Sequence, residues 1–114
     1  MRKENRLTLS RDFQRLKRDG AVVYHPFSVL VYAPNASDKF RVAVVASKAI
    51  GKAVTRNLVK RRFKSALQAI YPEIKPGWDM VFYSRLASAT SSYSDIADSV
   101  VRQLNEAGLL INSN

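Results

Sequence analysis

A chain of 114 residues that is 46% hydrophobic and 25% charged has the size and composition of one modest globular domain, expected to span residues 1–114. Nineteen Lys and Arg against nine Asp and Glu give a formal net charge of +10, an excess that works against compaction and points to a polyanionic partner. The absence of Cys excludes disulfides, thiolate zinc sites and Cys nucleophiles, and no apolar run approaches the roughly 20 residues of a membrane span.

In chain order, Met1-Arg2-Lys3-Glu4-Asn5-Arg6 has no apolar stretch behind it, so no secretory signal and a cytoplasmic protein are expected. Ser10 stands where an N-cap belongs, and Leu9, Phe13 and Leu16 recur at helical spacing up to Gly20. Val22-Val23-Tyr24 reads as a short strand interrupted by His25-Pro26. Phe27 to Tyr32 is β-branched and aromatic and reads as a second strand. Pro34 to Asp38 is turn chemistry, and Phe40 to Ser47 is a long apolar run. That order predicts an antiparallel hairpin of the two longer strands, with Phe40 to Ser47 central in the sheet.

Gly51 breaks the chain before a helix expected from Thr55 to Ile70, which Pro72 and Pro76-Gly77 close. Trp78 to Tyr83 reads as a strand, with Trp78 and Phe82 assigned to the core. Ser91 to Asp95 offers N-caps for a last helix with the apolar stripe Ile96, Ala97, Val100, Leu104 and Ala107, and Gly108 suits its C-terminus. The order α-β-β-α-β-α, with a possible extra short strand, predicts an α+β fold: an α/β sandwich on a mostly antiparallel sheet.

The charge is segregated. Lys39, Arg41, Lys48, Lys52, Arg56, Lys60, Arg61, Arg62 and Lys64 fall in residues 39–72, where there is no acid. On a wheel of about 100° per residue from Val59, the apolar Phe63, Ala66, Leu67 and Ile70 lie within roughly 80°. Asn57, Lys60, Arg61 and Lys64 form a second stripe beside them. Cations at this pitch can span several phosphates, and Arg adds bidentate geometry. With no Glu or Asp available for i, i+4 pairing, such a helix repels itself.

The stretch from Ser47 to Arg61 resembles the signature of the bacterial ribonuclease P protein subunit. Lys48, Gly51, Ala53, Arg56-Asn57 and Lys60-Arg61 stand at the family's spacing, and Arg6-Leu7 and Asp12-Phe13 look like its opening. The likeness runs from about Lys3 to Leu104. It implies a ribosomal-protein-like fold with a left-handed β-α-β crossover. It also implies that Lys48, Lys52, Arg56, Asn57, Lys60, Arg61 and Lys64 contact the catalytic RNA of the enzyme. The 5′ leader of precursor tRNA would lie in a cleft between the first helix and the sheet, with Phe13 and, from the sheet, Val31 or Tyr32, and Arg85 nearby. Leu58, Lys17 and Lys64 depart from the family's usual Arg, aromatic residue and Arg, and Leu86 takes the place of the second residue of a basic pair.

No protein catalytic centre is legible. His25 is the only His, and the acids are spread along the chain without a cluster. The resemblance agrees. It assigns Mg²⁺-dependent phosphodiester hydrolysis to the RNA subunit, with no metal bound by the protein alone and no obligatory protein partner. The competing reading is a non-enzymatic RNA-binding or ribosome-associated protein on a similar fold.

Overall fold

The computed structural model describes residues 2–111. Its elements are α1 (Ser10–Asp19), β1 (Ala21–Tyr24), β2 (Ser28–Pro34), β3 (Arg41–Ala46), α2 (Ala53–Ala69), β4 (Trp78–Ser84) and α3 (Tyr93–Ala107), the expected order with the extra short strand. The sheet runs β1-β2-β4-β3, antiparallel except for the parallel pair β3 and β4.

The expected hairpin is not formed. β2 pairs with β1 through the His25-Pro26 turn and with β4, and β3 lies at the edge of the sheet. The physical reason is the helix that follows β3. A strand–helix–strand connection delivers the next strand parallel to the first, so β4 enters beside β3 and separates it from β2. The β3 edge is shielded at its start by the N-terminal segment. The Leu7 N–H donates to the Val42 carbonyl at 3.1 Å, and the Asn5 side-chain amide donates to the Phe40 carbonyl at 2.7 Å. Tyr71 in turn donates its hydroxyl to Asn5.

Alternation along the strands sends their side chains to two different cores. Leu30, Val42, Val44, Met80 and Phe82 pack against Val59, Phe63 and Leu67 of α2 and Ile96, Val100 and Leu104 of α3. Val31, Ala33, Ala43, Val45, Val81 and Tyr83 point the other way, towards Leu7, Phe13 and Leu16. Phe82 is buried as expected, and Trp78 is half-buried against Tyr32. α3 starts at Ser92, whose hydroxyl accepts the Asp95 N–H, and ends at Gly108. Gly20 closes α1 where a side chain has no room. A Cβ there would sit 2.5 Å from the Leu16 carbonyl oxygen and 2.6 Å from a Val31 methyl, so glycine lets the helix end descend onto β2.

One polar centre breaks the apolar pattern. Asp79, in the middle of the fold, is fully buried. Arg41 grips it with two bonds, Nε to Oδ1 at 2.8 Å and Nη2 to Oδ2 at 2.6 Å. Arg15 of α1 donates to Oδ2 at 2.5 Å, and the Asn35 amide donates to Oδ1 at 3.0 Å. Asp12 adds a second carboxylate. Its Oδ2 has no hydrogen bond but lies 3.4 Å from Arg41 Nη1, so it is balanced by charge. The carboxylates hold the Arg41 pKa above its ordinary value, with the Asp79 bond the largest cause. Asp12 and Asp79, far apart in the chain, come to share Arg15 and Arg41 because α1 lies across the sheet.

Desolvating a carboxylate costs several kcal/mol, and its cationic partners must offset that. Asp79→Asn should therefore lower unfolding stability by about 3 kcal/mol, since Arg15 and Arg41 then crowd together with only Asp12 to balance them. Urea titration of the variant measures it, and a loss below about 0.5 kcal/mol, the range of an ordinary surface change, would contradict the assignment.

Candidate nucleic-acid interface

The basic segment of the sequence divides in space. Lys39 pairs with Glu4 at 3.2 Å, and Arg41 is consumed by Asp79 and Asp12. Arg62 turns away from the stripe and donates to the Ser91 carbonyl at 2.8 Å, tying α2 to the segment before α3. Among the described residues, Lys48, Lys52, Arg56, Lys60, Arg61 and Lys64 have no acid within ion-pair distance. These are cations gathered on one surface and left unneutralised.

The strand-to-helix connection arranges them. β3 ends at Ala46, a short 3₁₀ turn holds Lys48–Ile50, and Ile50 is buried as its anchor. Gly51 then adopts a positive φ of 138°, and Arg56 donates to its carbonyl at 3.2 Å, which fixes the entry to α2. α2 begins at Ala53, two residues earlier than the sequence suggested, and ends at Ala69. Val59, Phe63, Ala66 and Leu67 are buried, while Asn57, Arg61 and Lys64 are exposed and Lys60 is half-exposed.

The start of α2 is electrostatically unusual. A helix N-terminus carries partial positive charge and favours Asp, Ser or Thr as its cap. Here the N-cap is Lys52, no side chain caps the free amides, and there is no acid in the first turn. The cluster thus concentrates positive charge and unsatisfied N–H donors, which suits an anionic ligand such as phosphate.

The opposite face of the sheet carries the other expected residues. A groove of about 460 Å³ runs between the N-terminal segment, α1 and the β3 edge, lined by Arg6, Leu7, Phe13, Val45 and Lys64 among others. Phe13 lines it directly. Val31 is on the same face but beneath the end of α1, in contact range of Gly20. Tyr32 is on the other face, its ring 6.0 Å from Trp78 and packed into the core under the helices. A one-residue step along β2 reverses the face, so Tyr32 is withdrawn from the cleft set. Arg85 is exposed just beyond β4, its N–H donating to the Phe27 carbonyl at 2.9 Å.

His25 has a local task. Its Nδ1 accepts the Phe27 N–H at 3.1 Å in the β1–β2 turn, and burial, then the charge of Arg102, lowers its pKa. Asp12 and Asp79 are held by Arg15 and Arg41. Among the described residues no three His, Asp or Glu side chains gather as metal ligands, and no helix is long and apolar enough to cross a membrane.

The chain is similar to known proteins over nearly all of its length. Residues 1–108 match the family model for ribonuclease P. The ribonuclease P protein component of Herpetosiphon aurantiacus is 37% identical over 109 residues, covering 96% of this chain and 89% of that protein. The component from Clostridioides difficile is 38% identical over 90 residues, covering 78% and 79%. The solved RNase P protein of Staphylococcus aureus matches with a TM-score of 0.85 at 26% identity, over 92% of this chain and 96% of that one. That of Thermotoga maritima shares the fold, with a TM-score of 0.78 at 24% identity over 85% and 92%.

If α2 opens on a cation at the expense of stability, Lys52→Asp should raise unfolding stability by about 1 kcal/mol, by capping the amides and opposing the helix dipole. Urea titration at low salt checks this. A decrease would mean that Lys52 supports the fold.

Proposed function

The chain belongs to the ribonuclease P protein component family, and from that premise we propose that it serves as the RNA-binding subunit of a ribonucleoprotein that removes the 5′ leader of precursor tRNA. The observation that carries this reading is the cationic surface of Lys48, Lys52, Arg56, Lys60, Arg61 and Lys64, which meets no acid among the described residues and is opened by an uncapped helix start. In this reading Lys48, Lys52, Arg56, Asn57, Lys60, Arg61 and Lys64 hold the catalytic RNA. The Lys and Arg side chains neutralise its phosphates and release counterions, and Asn57 offers a donor and an acceptor to a sugar or base edge. The leader lies on the α1 side of the sheet, with Phe13 beneath it, Val31 behind it under the end of α1, and Arg85 at its border.

The chemistry is assigned to the RNA. A hard cation such as Mg²⁺ takes oxygen ligands, and the protein's buried carboxylates are already engaged by two arginines, so its donor set does not fit a protein-held Mg²⁺. When bound by the RNA, Mg²⁺ supplies the activation of water and the stabilisation of developing phosphate charge. The protein's part is positional and electrostatic: it orients the leader and offsets the repulsion between two RNA chains. A cytoplasmic site of action and the absence of an obligatory protein partner belong to the same proposal.

Reconstitution tests it. Added to a bacterial ribonuclease P RNA at low Mg²⁺, the protein should raise the rate of precursor-tRNA cleavage and should cleave nothing by itself. No gain in rate would favour the non-enzymatic RNA-binding reading, and cleavage by protein alone would overturn the division of labour.

A second experiment addresses the surface. Lys60→Ala with Arg61→Ala should weaken binding of the catalytic RNA and lower the slope of log K against log salt by about 2, one for each lost phosphate contact. Both side chains are on the polar side of α2, so the fold should persist. Unchanged affinity in the folded double variant would remove α2 from the interface.

A further inference from the structure

A second cleft opens at the far end of α2. Its volume is about 430 Å³, and Arg2, Gln68, Tyr71 and Pro72 line it. None of these residues lines the groove of Phe13. α2 stops at Ala69, and Pro72 lies in the 3₁₀ turn Tyr71–Glu73 that follows. That turn packs the half-buried Tyr71 against the core under α2 and α3. Its ring is held at two points. It meets Phe40 edge-on, with centroids 5.1 Å apart, and its hydroxyl donates to Asn5. Asn5 is 3% exposed, and its amide is spent on the Phe40 carbonyl, so the anchor is itself fixed.

Arg2 lies over the Tyr71 ring, its guanidinium carbon 5.8 Å from the centroid. The Arg2 side chain is 74% exposed and meets Glu4 at a long 3.8 Å, and Glu4 is shared with Lys39 at 3.2 Å. Arg2 is therefore loosely held, over a ring that is firmly held. The cleft also continues the stripe of α2. Gln68 is one turn beyond Lys64, at about 180° from Val59 on the wheel that places Lys60, Lys64, Asn57 and Arg61 between about 100° and 200°. An RNA backbone that follows the stripe is led to the cleft. An aromatic ring and a guanidinium plane are the two surfaces on which unpaired RNA bases stack. Bases within a duplex are already stacked on both faces, and an acidic peptide has no base plane to set between the two groups.

We propose that Arg2 and Tyr71 clamp one unpaired base of the catalytic RNA at the end of α2. Tyr71 is the fixed jaw, and Arg2 lifts from the ring to admit the base and closes over it. This rests on the catalytic-RNA reading above and adds a stacking contact to a surface built of charge. Asn5 is a positioning residue here, acting through the Tyr71 hydroxyl.

The test binds the full chain to a bacterial ribonuclease P RNA, measures affinity over a range of salt, and probes the RNA with base-modifying reagents at saturating protein. The wild type should protect one unpaired base that becomes reactive in both Arg2→Leu and Tyr71→Leu, while the other protections persist. Each variant should lose roughly tenfold in affinity, the size of one stacking contact. Tyr71→Leu should leave the slope of log K against log salt unchanged, because a ring releases no counterion. Tyr71→Phe keeps the ring and should keep the protection. Arg2 is exposed, so Arg2→Leu tests the clamp even if Tyr71→Leu fails to fold. Wild-type affinity and protections in both Leu variants would overturn the clamp and leave the catalytic-RNA reading standing on Lys60 and Arg61. Protections lost across the whole RNA in Arg2→Leu, rather than at one base, would make Arg2 a bulk charge and also overturn it. If the wild type does not bind the RNA, the catalytic-RNA reading fails first and the clamp with it.

Discussion

The fold turns on a buried carboxylate that cannot be left alone. Asp79 sits in β4, the strand that joins the antiparallel half of the sheet to its parallel edge. An isolated charge there would cost several kcal/mol, a large share of a domain's margin of stability, so its partners must be in place. Arg41 reaches it from β3, Arg15 from α1 and Asn35 from the loop after β2. One anion thereby fixes the register of the edge strand and the position of α1 over the sheet. The groove between them, where Phe13 and Val45 face each other's side of the cleft, follows from that placement.

The same accounting separates two kinds of cation. Arg15 and Arg41 are structural because carboxylates meet them inside the protein. The cations from Lys48 to Lys64 have no such partner among the described residues, and the helix that carries several of them begins without a cap. Charge that destabilises the free protein becomes useful when a polyanion arrives, which is why this surface suits the proposed RNA partner. The two faces of the sheet then divide the proposed labour. Lys48 to Lys64 belong to the side of α2 and to the β3 edge, and the groove lined by Phe13 belongs to the side of α1. Lys64, at the rim of the groove, lies where the two surfaces meet.

Much of this could be read from the chain. The stripe of Val59, Phe63, Ala66 and Leu67 is local and periodic, so α2 and its polar side followed from spacing alone. Local chemistry also made legible the start of β4 at Trp78, the cap region Ser91 to Asp95 and the helix end at Gly108, while the choice of Ser92 as the cap came from the structure. Pairing was not, because it depends on contacts far apart in sequence. β3 reads as a central strand by its apolar run, yet it is an edge, and the helix after it was the available clue to a parallel partner. The choice between Val31 and Tyr32 could not be made because face depends on register, which one residue reverses. Asp79 did leave a signal: a carboxylate within an otherwise apolar strand implies either an exposed edge or a buried ion pair.

The central claim is that two different RNAs meet two different faces of one sheet. Because the chain has no Cys, a single introduced thiol gives a unique point for a hydroxyl-radical probe. Ser65→Cys places it on the exposed side of α2, and Val22→Cys places it on the α1 side of the sheet, opposite Val31 in the register. In the holoenzyme bound to precursor tRNA, the probe on α2 should cut the catalytic RNA, and the probe on β1 should cut the leader. Leader cuts from the α2 probe, or cuts confined to the catalytic RNA from the β1 probe, would contradict the account.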